Sequence, residues 1–373
     1  MAEGEPELVL ADPLSWLQRL GDRALGLLAL IVALALLSSL PLVQILVLGY
    51  VLAAGTRALE AGRLREALPG LELFARIGGV ALGFWLLLWI QRLLASLADS
   101  ARLINPESQS AGRLDGFALV LALALVAHGL AACARGARLR YMLVPRPKRE
   151  MDALARLFTR EGYGRARDQV WDAFASLELG RLARTSLLGL VAALAWLLVP
   201  TTLLALGSRM PVFAVLGSLT MAGVLAFLPF VQLQVSEAGS LRPLVEVESI
   251  RAARAAAPLA MAGALVLTVL AALPLYLLKI ELIPREAMWL PGLLFVALML
   301  PARLACGLAL HRGRRLADQP RHWVWRGLAG VLWVPAALAY GVGLYFTQYL
   351  SWYGTWSLYE QHAFLLPVPF LGG

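Results

Sequence analysis

The run ALGLLALIVALALLSSLPLVQILVLGYVLAAG, residues 24–55, holds 32 consecutive residues without a charge. About 20 apolar residues suffice for a helix to cross the hydrocarbon core of a bilayer. Such a run has no place on a water-facing surface, and it is not isolated. Working outward between charges, comparable stretches recur at 77–97, 117–134, 185–207, 212–235, 258–278, 287–310 and 327–349. None alternates with period two and all are too long for barrel strands, so all eight read as helices. Hydrophobic residues make up 60% of the chain and charged ones 15%, with mean hydropathy +0.72. A soluble domain carries roughly 25% charged residues, so there is too little polar surface here to face water. The expected fold is all-α: a polytopic transmembrane bundle of about eight spans.

Pro41 interrupts the 24–55 run just after Ser38-Ser39. One long kinked crossing is expected. The alternative is a re-entrant hairpin, whose arms of about 15 residues would each fall short of a full span. Positive charge sorts by loop. With Arg92 and Arg303 counted beside the loops they border, the loops after spans 1, 3, 5 and 7 hold 25 of the 33 Lys and Arg residues. Cytoplasmic loops are the basic ones, which places these four inside and both termini outside. The Ala- and Arg-rich usage looks bacterial, giving a multi-pass protein of the bacterial inner membrane. The net charge of +9 is then a topological signal, and no nucleic-acid partner is expected. The acidic N-terminal tail, 1–23, lacks a small-residue cleavage site and does not read as a secretory signal.

Short echoes suggest an internal repeat. Leu40-Pro41-Leu42-Val43-Gln44-Ile45 recurs as Leu228-Pro229-Phe230-Val231-Gln232-Leu233, and Arg135-Gly136-Ala137-Arg138-Leu139 as Arg312-Gly313-Arg314-Arg315-Leu316. Trp196 to Pro200 is echoed by Trp333-Val334-Pro335. The expected organisation is two parallel four-span repeats, 24–207 and 208–350, with a C-terminal tail over 351–373. Even-numbered repeats of this kind relate by an axis along the membrane normal, with binding sites between them.

Prolines in spans free backbone carbonyls that something must satisfy. The pairs Pro41/Gln44 and Pro229/Gln232 each set an amide one turn from such carbonyls and are the first candidates for a polar lining. His128, deep in span 3, joins them as a relay or ligand candidate. Arg92 and Arg303 sit late in their spans, where a long basic side chain snorkels to the interface. No Asp or Glu lies well inside any span, which argues against proton- or sodium-coupled transport. Metalloprotease, nucleophile-elbow, phosphate-loop and CxxC motifs are missing, and the four histidines are spread along the chain. Cys133 and Cys306 make no disulfide framework. No cofactor or metal is expected, and the reading leans away from an enzyme.

The loop 135–184 holds twelve basic and six acidic residues. Val170, Trp171, Phe174 and Leu177 mark the apolar stripe of an amphipathic helix there. Basic helices with an aromatic on the apolar face lie on anionic membrane surfaces, or dock a protein partner or a second copy. Gly79 and Gly83 form a GxxxG, which permits close helix contact. The tail has Trp352, Tyr353, Trp356 and Tyr359 but no Lys or Arg, as an interfacial aromatic belt does. Anchoring is the expected role; the alternative is that 364–370 folds back to plug the mouth between the halves or docks a partner.

The arrangement Pro41…Gly49-Tyr50…Leu68-Pro69 joins a proline-broken span, a Gly-Tyr near its end and a Leu-Pro after a short basic helix. It resembles a family of prokaryotic membrane proteins known as domain of unknown function 4013, over the first hundred residues. That family has no assigned activity or catalytic residues, and the resemblance transfers none. Two function classes stand. The first is a non-catalytic membrane scaffold or complex subunit. The second is a permease-like protein that binds a small or lipid-like solute between its halves.

Overall fold

Proline has no N–H to continue a helix, and its ring crowds the carbonyl four residues back. In the computed structural model the helix that enters the 24–55 run stops at Ser38, and a new one opens at Gln44. Residues 39–43 form a turn in which Leu42 takes a left-handed backbone (φ 67°). The 24–55 run is therefore not one continuous helix. It is divided between helices of 26 and 18 residues.

The structure describes residues 13–104, 109–157, 159–277, 289–351, 354–358 and 364–365. Trp352, Tyr353, Tyr359 and the stretch 366–370 lie outside them. The α-helices, in order, are α1 (Pro13–Ser38), α2 (Gln44–Ala61), α3 (Leu71–Ile104), α4 (Gln109–Ala134), α5 (Leu139–Leu143), α6 (Pro147–Leu157) and α7 (Arg160–Ser176). They continue as α8 (Leu179–Leu206), α9 (Pro211–Leu225), α10 (Leu228–Ala238), α11 (Glu248–Ala256), α12 (Pro258–Leu277), α13 (Trp289–Arg315) and α14 (Trp323–Leu350). No strand occurs among the described residues. Seven helices are long and apolar enough to cross a membrane, or eight if the pair α9 and α10, bent by 43°, is one broken span. The fold is an all-α polytopic bundle.

Two compact units divide the chain: Met1–Leu30 with Gly70–Leu177, and Ile31–Pro69 with Glu178–Gly373. In the first, α3 packs along α4, with Gly129 of α4 against the Phe84 ring. The Gly79/Gly83 pair of α3 faces not a second span but α5: a Cβ on Gly83 would stand 2.5 Å from Met142 Cγ. Met142 is fully buried there.

In the second unit α2 is the central element, packed on α8, α10 and α13. Val47 to Ala54 of α2 are all buried. Glycines permit these approaches, since small residues let membrane helices touch backbone to backbone. A Cβ on Gly49 would lie 2.1 Å from the Leu182 carbonyl oxygen, and one on Gly307 would lie 2.2 Å from that of Gly55. Backbone cannot yield as a flexible side chain can. Gly307→Val should therefore destabilise the unit by about 3 kcal/mol through overpacking. The midpoint of thermal unfolding in detergent measures it, and an unchanged midpoint would mean that α2 and α13 do not meet here.

The second echo of Leu-Pro also sits at a helix break. Pro229 occupies the first turn of α10, where its missing N–H costs nothing. Both α2 and α10 end on a left-handed glycine, Gly62 (φ 65°) and Gly239 (φ 59°). Glycine adopts this conformation without strain. Each is followed by a short 3₁₀ turn, Leu64–Glu66 and Arg242–Leu244.

Candidate functional site

Gln232 lies one turn into α10, three residues past Pro229, and is fully buried. Its Nε2 donates to the Gly189 carbonyl of α8 at 2.9 Å and to the Phe364 carbonyl at 2.7 Å. Its Oε1 is buried without a hydrogen-bond partner among the described residues. The Phe364 contact brings the end of the chain into the second unit. Phe364 is 0% exposed, and its ring meets Tyr340 of α14 edge-on at 6.4 Å. Of the stretch 364–370, the two described residues, Phe364 and Leu365, are buried against the bundle, the alternative reading rather than the anchoring that was expected.

The same ring lies under Arg303, whose guanidinium carbon is 5.2 Å from its centroid. Arg303 is not at an interface, as its place in span 7 led us to expect. It is 1% exposed, the largest fully buried side chain of the described residues. The physical reason is helix length. α13 runs from Trp289 to Arg315, so Arg303 stands near its middle. At 1.5 Å per residue it is roughly 18 Å from the helix end, beyond the reach of its own side chain. Its face also carries Val296, Met299, Leu300, Cys306, Gly307 and Leu310, all buried, so Arg303 lies on the inward side of α13.

Arg303 has little to satisfy it. Nη1 reaches the Pro229 carbonyl at 3.5 Å, and Nη2 has no partner. No carboxylate forms an ion pair with it among the described residues. Beside it, Thr268 Oγ1 and Cys306 Sγ are 3.4 Å apart. Gln232 and Arg303 thus offer free donor and acceptor edges around Pro229 and Phe364, in an otherwise apolar interior. An oxygen-rich group could be held there by charge-assisted hydrogen bonds.

The other candidates fall elsewhere. Gln44 opens α2 half-buried, its Oε1 buried without a partner, and takes no part in the Gln232 contacts. Pro41 is exposed in the turn before it, its carbonyl accepting from Val43 N at 2.8 Å. Arg92 lies on the exposed face of α3. Val170, Trp171 and Phe174 are exposed on α7 and Leu177 is half-buried, so the amphipathic stripe is uncovered. His311 Nδ1 meets the Leu59 carbonyl at 2.6 Å and ties α13 to α2.

His128 belongs to the first unit and to a different cluster. Its Nε2 lies 2.8 Å from the Met142 carbonyl and its Nδ1 3.0 Å from Glu150 Oε2. Glu150 Oε1 also accepts from Arg135 Nη1 at 2.9 Å and from the Arg146 backbone N–H. Burial disfavours the charged carboxylate, but the Arg146 N–H, the His128 ring and Arg135 outweigh it and hold Glu150 below the usual carboxylate range. His128 therefore fastens α4 to α5 and α6. Sequence reasoning missed Glu150, because one of six acids among twelve bases carried no spacing signal.

Compared with known protein families, curated proteins and solved structures, the chain finds no match in any of the three.

Proposed function

We propose that the protein is a permease-like protein that binds a small anionic solute inside the second unit, through Arg303 and Gln232. One observation carries this reading: an arginine buried in the bundle without a carboxylate to pair it among the described residues. An intramembrane charge is costly, by about 3 kcal/mol for arginine at a helix centre, and marks solute pathways more often than scaffolding. Gln232, whose Nε2 is taken by the Gly189 and Phe364 carbonyls, leaves Oε1 as an acceptor for a hydroxyl or amino donor on the same solute. The matching break, glycine cap and 3₁₀ turn of α2 and α10 support an internal duplication, which is how many permeases build a midplane site. The basic loops support an inner-membrane protein of bacterial type with those loops in the cytoplasm.

A scaffold role is the second reading, favoured by the uncovered Trp171 and Phe174 of α7. Native mass spectrometry of gently extracted protein separates them. The solute reading expects a small anion retained by the wild type and lost from Arg303→Gln. A stoichiometric protein partner, with no small molecule in either form, would leave the scaffold reading in its place.

A further inference from the structure

Arg135 directly follows Ala134, the last residue of the apolar helix α4. From there the chain turns back through α5 into α6 and gathers arginines around two clefts in the first unit. One, about 550 Å³, is lined by Arg135, Arg140, Arg146 and Arg149, with Tyr141 and Val144. The other, about 420 Å³, shares Arg135 and Arg149 and adds Arg156 and Arg165, with Asp152 as its one acid. The nearby carboxylate of Glu150 is already taken by Arg135, His128 and the Arg146 backbone. Arg140, Arg146, Arg149, Arg156 and Arg165 form no ion pair among the described residues.

Five unpaired guanidinium groups on two adjoining clefts repel one another unless an anion lies among them. The Tyr141 hydroxyl registers this field. Its hydrogen bond from Arg140 and the charges of Arg140, Arg138 and Arg135 outweigh burial and hold it below the usual phenol range. Arg135 and Arg140 also stack on its ring, at 4.9 and 4.8 Å from the centroid. Guanidinium forks match phosphate oxygens two at a time. An apolar surface completes the picture: Val144, 52% exposed, lines the larger cleft, and its chain neighbour Leu143 is equally exposed. Basic pockets at the ends of membrane helices take phospholipid heads in this way.

We propose that the paired clefts bind a lipid head group bearing two phosphates, one in each cleft, with Arg135 and Arg149 on the wall between them. Two clefts with a common basic wall fit a diphosphate or diphosphatidyl group better than a single phosphate. The position at the end of the apolar helix α4, with Val144 beside the arginines, favours a lipid over a soluble diphosphate as its source.

The test uses the full chain in detergent, with cardiolipin, phosphatidylglycerol and phosphatidylcholine titrated and bound lipid counted by native mass spectrometry. Inorganic pyrophosphate serves as the soluble probe. Cardiolipin should bind at least tenfold more tightly than either other lipid. The double variant Arg140→Gln/Arg149→Gln, which leaves the Glu150 contacts in place, should lose that preference, while Arg312→Gln in the other unit keeps it. Pyrophosphate binding that depends on the two arginines, without cardiolipin preference, would keep the two-phosphate chemistry and assign it to a soluble ligand. Equal binding of phosphatidylglycerol and cardiolipin overturns the proposal. So does cardiolipin binding that survives the double substitution, or binding of neither probe.

Discussion

Arg303→Met should make the protein more stable and unable to hold its solute. Methionine matches the length of the arginine stem, so no large cavity opens beneath Phe364. The substitution removes an intramembrane charge whose placement costs about 3 kcal/mol. It gives up one long contact to the Pro229 carbonyl and the stacking on Phe364, together about 1 kcal/mol. The net expectation is a gain of about 2 kcal/mol, read as a higher midpoint of thermal unfolding in detergent. Replacing buried ionic groups by apolar ones of similar volume has this sign in other proteins. A structural arginine with a satisfied partner would behave in the opposite way, losing several kcal/mol. Stabilisation together with loss of the retained anion is the pattern of a group kept for binding. A destabilised variant would place Arg303 among the structural residues and remove the solute site.

Glu150→Gln should cost about 2 kcal/mol of stability in the first unit at neutral pH, because hydrogen bonds to a charged group are worth roughly 1.5–3 kcal/mol. The amide keeps one acceptor for Arg135 or the Arg146 N–H but loses the charge that both and His128 meet. The pH dependence follows from the direction of the shift. A carboxylate held below its ordinary pKa in the folded state stabilises the fold above its unfolded pKa, about 4.3. That contribution is lost as pH falls through the lower folded value. Wild-type stability should therefore decline as pH drops below about 4.3, while Glu150→Gln shows a shallower decline over the same window. Unfolding monitored at pH 7 and in steps below pH 5 measures both. Superimposable profiles would mean that Glu150 is solvated and holds nothing together.

The two clusters were legible in the sequence to very different degrees. Gln232 was visible, because Leu-Pro and Gln recur at the same spacing in two spans and both amide and proline are rare in such a context. Its partner in the echo, Gln44, proved to lie apart from it. The echoed Pro41 lies in the middle of the five-residue turn between α1 and α2, whereas Pro229 sits inside the first turn of α10. Equal sequence spacing thus gave unequal geometry. His128 stood out as a lone titratable group in an apolar run, but its partner Glu150 is 22 positions away and follows two turns and a short helix. No period or motif links them.

Class and helicity follow from the sequence alone, but not every break does, since Pro200, Pro274, Pro301 and Pro335 lie inside continuous helices. Apolar run length and charge scarcity act locally and additively, and proline and glycine act on their own backbone. These effects survive without knowledge of any neighbour. Which arginine is buried, and what the tail covers, came only from tertiary packing. Arg92 and Arg303 look alike as single charges near the ends of apolar runs, yet one is exposed and the other is enclosed. The difference is made by helices distant in sequence: α2, α10 and α12, with Phe364 from the tail, close over the middle of α13. Burial is a sum over contacts between segments, and no local pattern of residues contains it.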